Sequence, residues 1–526
     1  MASRQALGAL IIVGLGCEAL WLGIGTLTAW LTEVPAITAA VAPAQHVPWA
    51  WLYGATEAWL GADRTLPLAG PPSARTDVAF VSALGLAGAV YLLLLWLLAR
   101  RGVSGRLATV LVFGLAWLLA GTMCWSPGLL SSDVVVYATV GRLGAVQHLN
   151  PYLAAAAWPA IDPPDATWWW YMPTPYAPAW TDLSAVLAGL AAGLDPLGQV
   201  LTFRALAGLA LAASTVLIWH LVPRLWPGCS PRARRLAVAI FGWHPLVILE
   251  TGQGHNDIVM AMLVLVALLP LVGRPRPRQG AWLASFAVLA LAGLIKYLPG
   301  LPGLFVGALC LRQRPNLASR LRAATGLAGL GVGLAVLAAW PWLDAPLAVL
   351  SAPLNTPANG QHFANWVVDI PTFGLVARYL DKSGEHLAAS LAQVRLWDEL
   401  LVWGLLAICL GWELRRLWRV PPDDDWPAPL RAALGAALRA LLLVVVFGLT
   451  QTMDYYFITP LALAAVLGWR DRWTRVCLAT SLLFLPTFYV RRMELEPVPN
   501  ALLLGSLLGP LVVGALLARR RAGLDP

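Results

Sequence analysis

The sequence predicts an all-α, polytopic membrane protein, and three observations predict it. Of 526 residues, 59% are hydrophobic and only 12% are charged, about half of the roughly 25% a water-soluble domain carries. Apolar runs approaching the ~20 residues a span needs recur along the whole chain between short polar segments. Lys and Arg gather in those segments. A single water-soluble core rarely grows beyond ~250–300 residues, so a chain this long with a mean hydropathy of +0.70 needs lipid as its solvent.

Candidate spans lie near 6–30, 78–99, 107–125, 203–222, 236–252, 257–273, 281–295, 298–311, 323–343, 398–414, 432–450, 457–469, 475–489 and 499–518, about 12 to 14 in all. The first has the look of a signal peptide but lacks a small-residue cleavage site and runs to Trp30, so it is read as a retained span. Basic clusters at Arg4, Arg100–Arg106, Arg224–Arg235, Arg274–Arg278, Arg312–Arg322, Arg415–Arg431, Arg470–Arg475 and Arg519–Arg521 separate the runs. The positive-inside bias assigns these clusters and both termini to the cytoplasm, provided the apolar stretch 182–198 lies at the interface without crossing. The net charge of +9 is therefore topological. Nucleic acid is excluded as a partner, because no basic face with interleaved polar groups is present. Six scattered cysteines without CxxC or metal-ligand spacing argue against a disulfide framework or a zinc site. No separate soluble domain is visible. Residues 1–526 read as one integral membrane domain, with N-terminal spans and an external stretch (1–106), a motif-bearing core (107–311) and C-terminal helices (312–526).

This orientation leaves 31–77, 126–180 and 344–397 outside, with short turns at 252–257, 451–456 and 490–497. The two later long segments carry Trp168, Trp169, Trp170, Tyr171, Trp366 and Tyr379. Aromatic rings prefer the headgroup layer, which accounts for most of them, although the same rings stack on sugars. The chain shows no strong internal repeat, unlike transporters built from inverted halves.

The densest polar signal opens at Ser131-Ser132-Asp133 and runs through Tyr137, Gly141 and Arg142 to Asn150-Pro151-Tyr152. Asp133 has two readings, a helix N-cap or a general base that takes a proton from an attacking hydroxyl. Downstream, Tyr171 to Trp180, including Tyr176 and Pro178, is Pro-stiffened; it is either a turn back to the membrane or one wall of a groove.

The second signal is Trp243-His244-Pro245, followed by Glu250-Thr251-Gly252-Gln253-Gly254-His255-Asn256-Asp257. Ionisable residues at membrane depth are costly and default to functional candidates. Glu250 is alternatively a partner for a neighbouring helix and Asp257 a cap, while His255 suits a phosphate or a metal. The third is Lys296-Tyr297, one of two lysines in the chain, set between apolar runs with Pro299 behind it. It either snorkels outward or neutralises a leaving phosphate, as fixed cations stabilise developing charge. Arg142, Arg378, Arg491 and Arg492 are alternatives for that task. Asn355, Asn359, Gln361, His362 and Asn365, and the segment Gln451 to Tyr456 with Asp454, suit either sugar hydroxyls or a wet loop. Asp423-Asp424-Asp425 reads as a solvated cytoplasmic run.

Taken in order, Asp133-x3-Tyr137-x3-Gly141-Arg142, Asn150-Pro151-Tyr152, Tyr176-x-Pro178-x-Trp180, the Pro245 to Asp257 turn and the Lys296 segment resemble the bacterial GT-C glycosyltransferases that use polyprenyl-phosphate sugars. The likeness is greatest to the α-mannosyltransferases of actinobacterial lipomannan synthesis. It spans 107–311; the second half matches in hydropathy only. The resemblance implies a GT-C fold, a lipid-linked sugar donor, a glycan or glycolipid acceptor, and inverting transfer of a hexose, mannose by analogy, at the extracytoplasmic face of the plasma membrane. It maps the catalytic base onto Asp133. The histidine turn and the Lys296 segment would line the donor site, so Tyr137, Arg142, Tyr176, His255, Asn256, Asp257, Lys296, Tyr297, Arg491 and Arg492 form the expected substrate-binding set. Two departures stand out. Two spans and an external stretch precede the catalytic loop, and Asp133 has no adjacent acid, with Asp162 and Asp165 far along. The second departure weakens a metal-dependent variant, and no cofactor is assigned. The rival reading is a transporter or flippase of a lipid-linked sugar.

Overall fold

A computed structural model of the chain describes residues 2–31, 74–99, 103–126, 128–154, 173–273, 277–352, 387–419, 426–449, 452–493 and 500–522. Within them the fold is all-α, with no strand. In chain order the helices are α1 Ala2–Trp30, α2 Ala74–Ala99, α3 Gly105–Cys124, α4 Asp133–Ala145, α5 Pro178–Leu190, α6 Pro196–Leu225, α7 Pro231–Gly242, α8 Pro245–Gly252, α9 Asn256–Leu268, α10 Gln279–Gly293, α11 Gly300–Arg312, α12 Leu317–Ala339, α13 Pro346–Ser351, α14 Leu387–Arg419, α15 Ala428–Leu443, α16 Ile458–Leu467, α17 Arg472–Arg492 and α18 Asn500–Ala522.

Among the described residues, seven helices are long and apolar enough to cross a membrane, and α8 with α9 supplies an eighth only as a pair bent by 119°. The protein is a polytopic membrane protein. Two departures from the expected spans have physical reasons. The run at 236–252 is not one helix but α7 and α8, broken at Trp243-His244. Pro245 takes the first position of α8, where its missing N–H costs nothing, and the His244 imidazole caps the helix by accepting the Leu246 N–H (3.3 Å). Second, α10 and α11 have 15 and 13 residues. At ~1.5 Å per residue they rise only about 20 Å, short of the ~30 Å hydrocarbon layer.

The stretch 182–198 divides between the end of α5 and the start of α6, with the Asp195 carboxylate capping α6 by accepting the Gly198 N–H (2.7 Å). Helix α5 runs alongside α4 in the same direction, with Tyr137 meeting Trp180, and Gly141 makes their approach possible: a Cβ there would sit 2.1 Å from the Ser184 carbonyl oxygen. All six cysteines are free.

Candidate active site

The site begins where α3 ends. The backbone from Cys124 to Gly128 is gripped by Arg204 of α6, whose guanidinium donates to the carbonyls of Cys124 (3.3 Å), Ser126 (2.6 Å) and Gly128 (2.8 Å). Arg204 is 2% exposed. A buried cation is tolerated when most of its donors are satisfied, and here main-chain oxygens take up Nη1 and Nη2, leaving Nε without a partner. Gly128 packs against the end of α1 so closely that a Cβ would lie 1.9 Å from the Thr28 oxygen. The Gln253 side chain then accepts the Leu130 N–H (2.6 Å). This scaffold delivers Asp133 as the first residue of α4. Ser132 holds the N-cap position itself, so the capping reading of Asp133 does not describe its place.

Opposite Asp133 lies the turn between α8 and α9. Gly254 adopts φ +75, a left-handed conformation that side chains resist. A Cβ there would also meet Val134 at 3.0 Å. The turn therefore closes directly onto α4 and brings His255 to Asp133. The His255 Nδ1 lies 3.5 Å from Asp133 Oδ2, and its Nε2 lies 3.1 Å from Glu250 Oε2. On α9, Asp257 Oδ2 receives the Lys296 ammonium at 2.6 Å. Lys296 occupies the turn after α10, which is tied to α5 by the Ala179 N–H donating to the Leu294 oxygen (3.1 Å). The short 3-10 turn Asp454–Phe457 completes the cluster. Its Tyr455 ring stacks on the His255 ring (4.4 Å, 27°), and the Lys296 ammonium stands 4.4 Å from the Tyr455 ring and 5.2 Å from that of Tyr456.

Exposure separates the members. His255 and Asp257 are 1% exposed and Glu250 is 2%, whereas Asp133 keeps 17% and Lys296 16%. An anion and a cation thus keep partial exposure, backed by buried groups. Burial pushes the Asp133 carboxyl up to about 6; Lys296 opposes that rise, Asp257 adds to it, and the Ser131 and Tyr137 hydroxyls oppose it. Burial works against the Lys296 charge, but Asp257, then Tyr456 and Asp133, outweigh it and hold the ammonium above its usual range.

Tyr137 packs edge-on against Tyr176 (5.0 Å) and Trp180 (4.9 Å), building the wall beside Asp133. Asn256 is fully buried, with both side-chain polar atoms unpartnered. Tyr297 is 57% exposed, on the rim next to Lys296. Arg142 is not brought in: it lies nine positions along α4 from Asp133, about 13 Å at helical rise. Arg491 and Arg492 end helix α17 instead of occupying a turn, and their side chains lie outside the described residues. So do Trp168 to Tyr171, Trp366, Tyr379, Asn355 to Asn365, Arg378 and Gln451. Asp454 and Tyr455 are buried, which removes the wet-loop reading for that pair. Arg204 escaped the sequence reading altogether, although an arginine in an apolar helix is a signal in its own right. Among the described residues, no group of three His, Cys, Asp or Glu side chains is arranged to hold a metal ion.

Residues 47–312, half of the chain, match the alpha-(1->6)-mannopyranosyltransferase family through its N-terminal domain. The chain belongs to that family. It is therefore an enzyme, a mannosyltransferase of the membrane, and its reaction involves a sugar donor and an acceptor glycan. Asp133, Glu250, His255, Asp257 and Lys296 all fall inside the matched region of this mannosyltransferase, while Asp454 to Tyr456 lie beyond it. No curated protein matches the chain.

Proposed function

We propose that this mannosyltransferase, a GT-C enzyme, moves mannose from a polyprenyl-monophosphate donor to a hydroxyl of a mannan-type glycan or glycolipid, with inversion, at the extracytoplasmic face of the plasma membrane. The observation that carries the reading is the pairing of one partly exposed carboxylate, Asp133, with one partly exposed ammonium, Lys296, near enough to interact. A lipid-linked sugar phosphate cannot leave the bilayer, so its catalyst belongs at the interface. The basic residues clustered between the apolar runs support an outside-facing site through the positive-inside bias.

The chemistry asks little of the protein. The acceptor oxygen attacks C1 of mannose, the bond from C1 to the phosphate oxygen breaks, and its electron pair leaves with the phosphate. Asp133 takes the hydroxyl proton as general base. Lys296 offsets charge on the departing phosphate, with the exposed Tyr297 beside it to contact substrate and the buried Asn256 and Tyr137–Tyr176 packing supporting the site from behind. Two carboxylates, as a glycosidase uses, are not required because phosphate leaves without protonation. The family name specifies an alpha-(1->6) product. Inversion to an α product requires a β-configured donor and, for that linkage, a 6-hydroxyl acceptor.

The test uses purified protein in detergent, radiolabelled polyprenyl-phosphate mannose in each anomeric form, and short mannosides. Labelled α-linked product from the β donor alone is expected. Transfer from a nucleotide sugar, or from the α donor, would overturn the reading.

A further inference from the structure

The transfer leaves a proton on Asp133, and the groups behind it form a path for that proton. His255 Nε2 contacts Glu250 Oε2 at 3.1 Å. With an ionised Glu250 this contact is a hydrogen bond donated by Nε2–H, so Nδ1 carries a lone pair. That lone pair faces Asp133 Oδ2 at 3.5 Å and has no hydrogen-bond partner. The distance exceeds a hydrogen bond, as two acceptors facing each other require. Once Asp133 is protonated, its O–H points at a waiting acceptor. Behind Glu250, the Asp454 carboxyl stands close enough to act on the Glu250 carboxyl electrostatically, and since adjacent carboxylates cannot both ionise, the pair carries a proton. Asp454 Oδ1 accepts the Tyr455 N–H (3.0 Å), while its buried Oδ2 has no hydrogen-bond partner.

We propose that His255, backed by the Glu250–Asp454 carboxyl pair, is a proton relay that unloads Asp133 during each mannosyl transfer. In the step, the Asp133 O–H proton passes to Nδ1 while the Nε2 proton passes to Glu250. Asp133 returns to carboxylate, Glu250 becomes neutral, and the imidazole stays neutral with its tautomer exchanged. After product leaves, the same path runs backwards and the proton reaches solvent through the open face of Asp133. The Tyr455 ring stacked on His255 fixes the imidazole plane along this line. The charged or titratable groups facing His255 are Asp133 from α4, Glu250 from α8, Asp257 from α9, Lys296 from the turn after α10, and Asp454 and Tyr455 from the 3-10 turn. Burial of the ring, and then Lys296, disfavour a lasting imidazolium, which suits a relay whose histidine never holds two protons.

The relay rests on the mannosyltransferase reading of Asp133, and the experiment separates the two. Full-length Glu250→Gln, Glu250→Asp, His255→Gln and Asp133→Asn are compared by the pH profile of kcat with a polyprenyl-phosphate mannose donor, after each is shown monodisperse in detergent. Glu250→Gln and His255→Gln are expected to lower kcat about 10- to 100-fold, within the range of acid–base contributions, with KM changed less than twofold. Their acidic limb should move to lower pH. Each change removes either the acceptor that favours protonated Asp133 or a negative charge near it. Glu250→Asp should regain part of kcat and return the limb toward its wild-type position. An unmoved limb in both Gln variants, or kcat within twofold of wild type, would overturn the relay while leaving Asp133 as base. An active Asp133→Asn would overturn the base itself.

Discussion

Lys296 Nζ lies 2.6 Å from Asp257 Oδ2, yet the two residues divide sharply in exposure, 16% against 1%. The ammonium is therefore held from behind by a buried carboxylate and keeps its exposed side free for an incoming anion. A charge-assisted contact of this kind fixes geometry as well as charge. The two tyrosine rings on its flank add cation–π attraction without supplying a competing anion. A phosphate arriving there meets a cation that is already positioned, which is the form of preorganisation that lowers a barrier most effectively.

Lys296→Met is expected to lower kcat by about 10²–10³, the scale of removing one preorganised charge stabiliser. Lys296→Arg should recover little, because the broad planar guanidinium does not substitute for a compact ammonium between Asp257 and two rings. Steady-state kinetics with a polyprenyl-phosphate donor measure both. Equal kcat in wild type and Lys296→Met would remove the lysine from phosphate stabilisation.

Asp133→Asn should reduce transfer by about 10²–10⁴ while the purified protein keeps its melting temperature, since Ser132 rather than Asp133 holds the N-cap position. In the wild type, kcat/KM should fall below a limb near pH 6. The sign follows directly: the carboxyl is pushed up to about 6, the base must be ionised, and so activity rises with pH through that value. A limb near 4, as for a water-exposed aspartate, would mean that burial is not felt.

Asp257→Asn tests the coupling between the two open charges. Asp257 raises the Asp133 carboxyl and Lys296 lowers it. Neutralising Asp257 removes the first effect and frees Lys296 to turn toward Asp133, so both changes act downward. The acidic limb of kcat/KM is expected to shift to lower pH, with kcat reduced about tenfold because the lysine loses its seat. An upward shift in the pH titration would contradict this arrangement.

Much of this site was legible because polarity in a lipid-solvated chain is sparse. Asp133 stands where an apolar run ends, the His255 turn interrupts two apolar runs, and Lys296 is one of two lysines in 526 residues. Arg204 was not legible because it sits inside the apolar stretch 203–222 and was read as part of a span. Its partners are main-chain carbonyls, which no side-chain pattern announces. The segment 454–456 was ambiguous for a different reason. A short polar turn looks the same whether it faces water or a buried imidazole, and only the fold brings it to His255. The break at Trp243-His244 was hidden by its setting, since the flanking runs keep a spanning hydropathy while Pro245 starts a new helix.

Arg204 supplies the most direct test of how the scaffold sets the site. Its guanidinium forks to three carbonyls along the strip that ends at Asp133, and a lysine ammonium at the same position could reach only part of that set. Hydrogen bonds to charged groups contribute roughly 1.5–3 kcal/mol each. Arg204→Lys is therefore expected to cost about 2–4 kcal/mol of local stability, visible as a lower melting temperature in detergent and a kcat reduced about tenfold, as Asp133 loses its fixed position. Arg204→Met should be worse, because it leaves all three buried carbonyls unpaired. Thermal unfolding and kinetics on the same preparations check the order wild type, then Lys, then Met. If Arg204→Met melts with the wild type, the grip on the strip before α4 is not what holds the carboxylate in place.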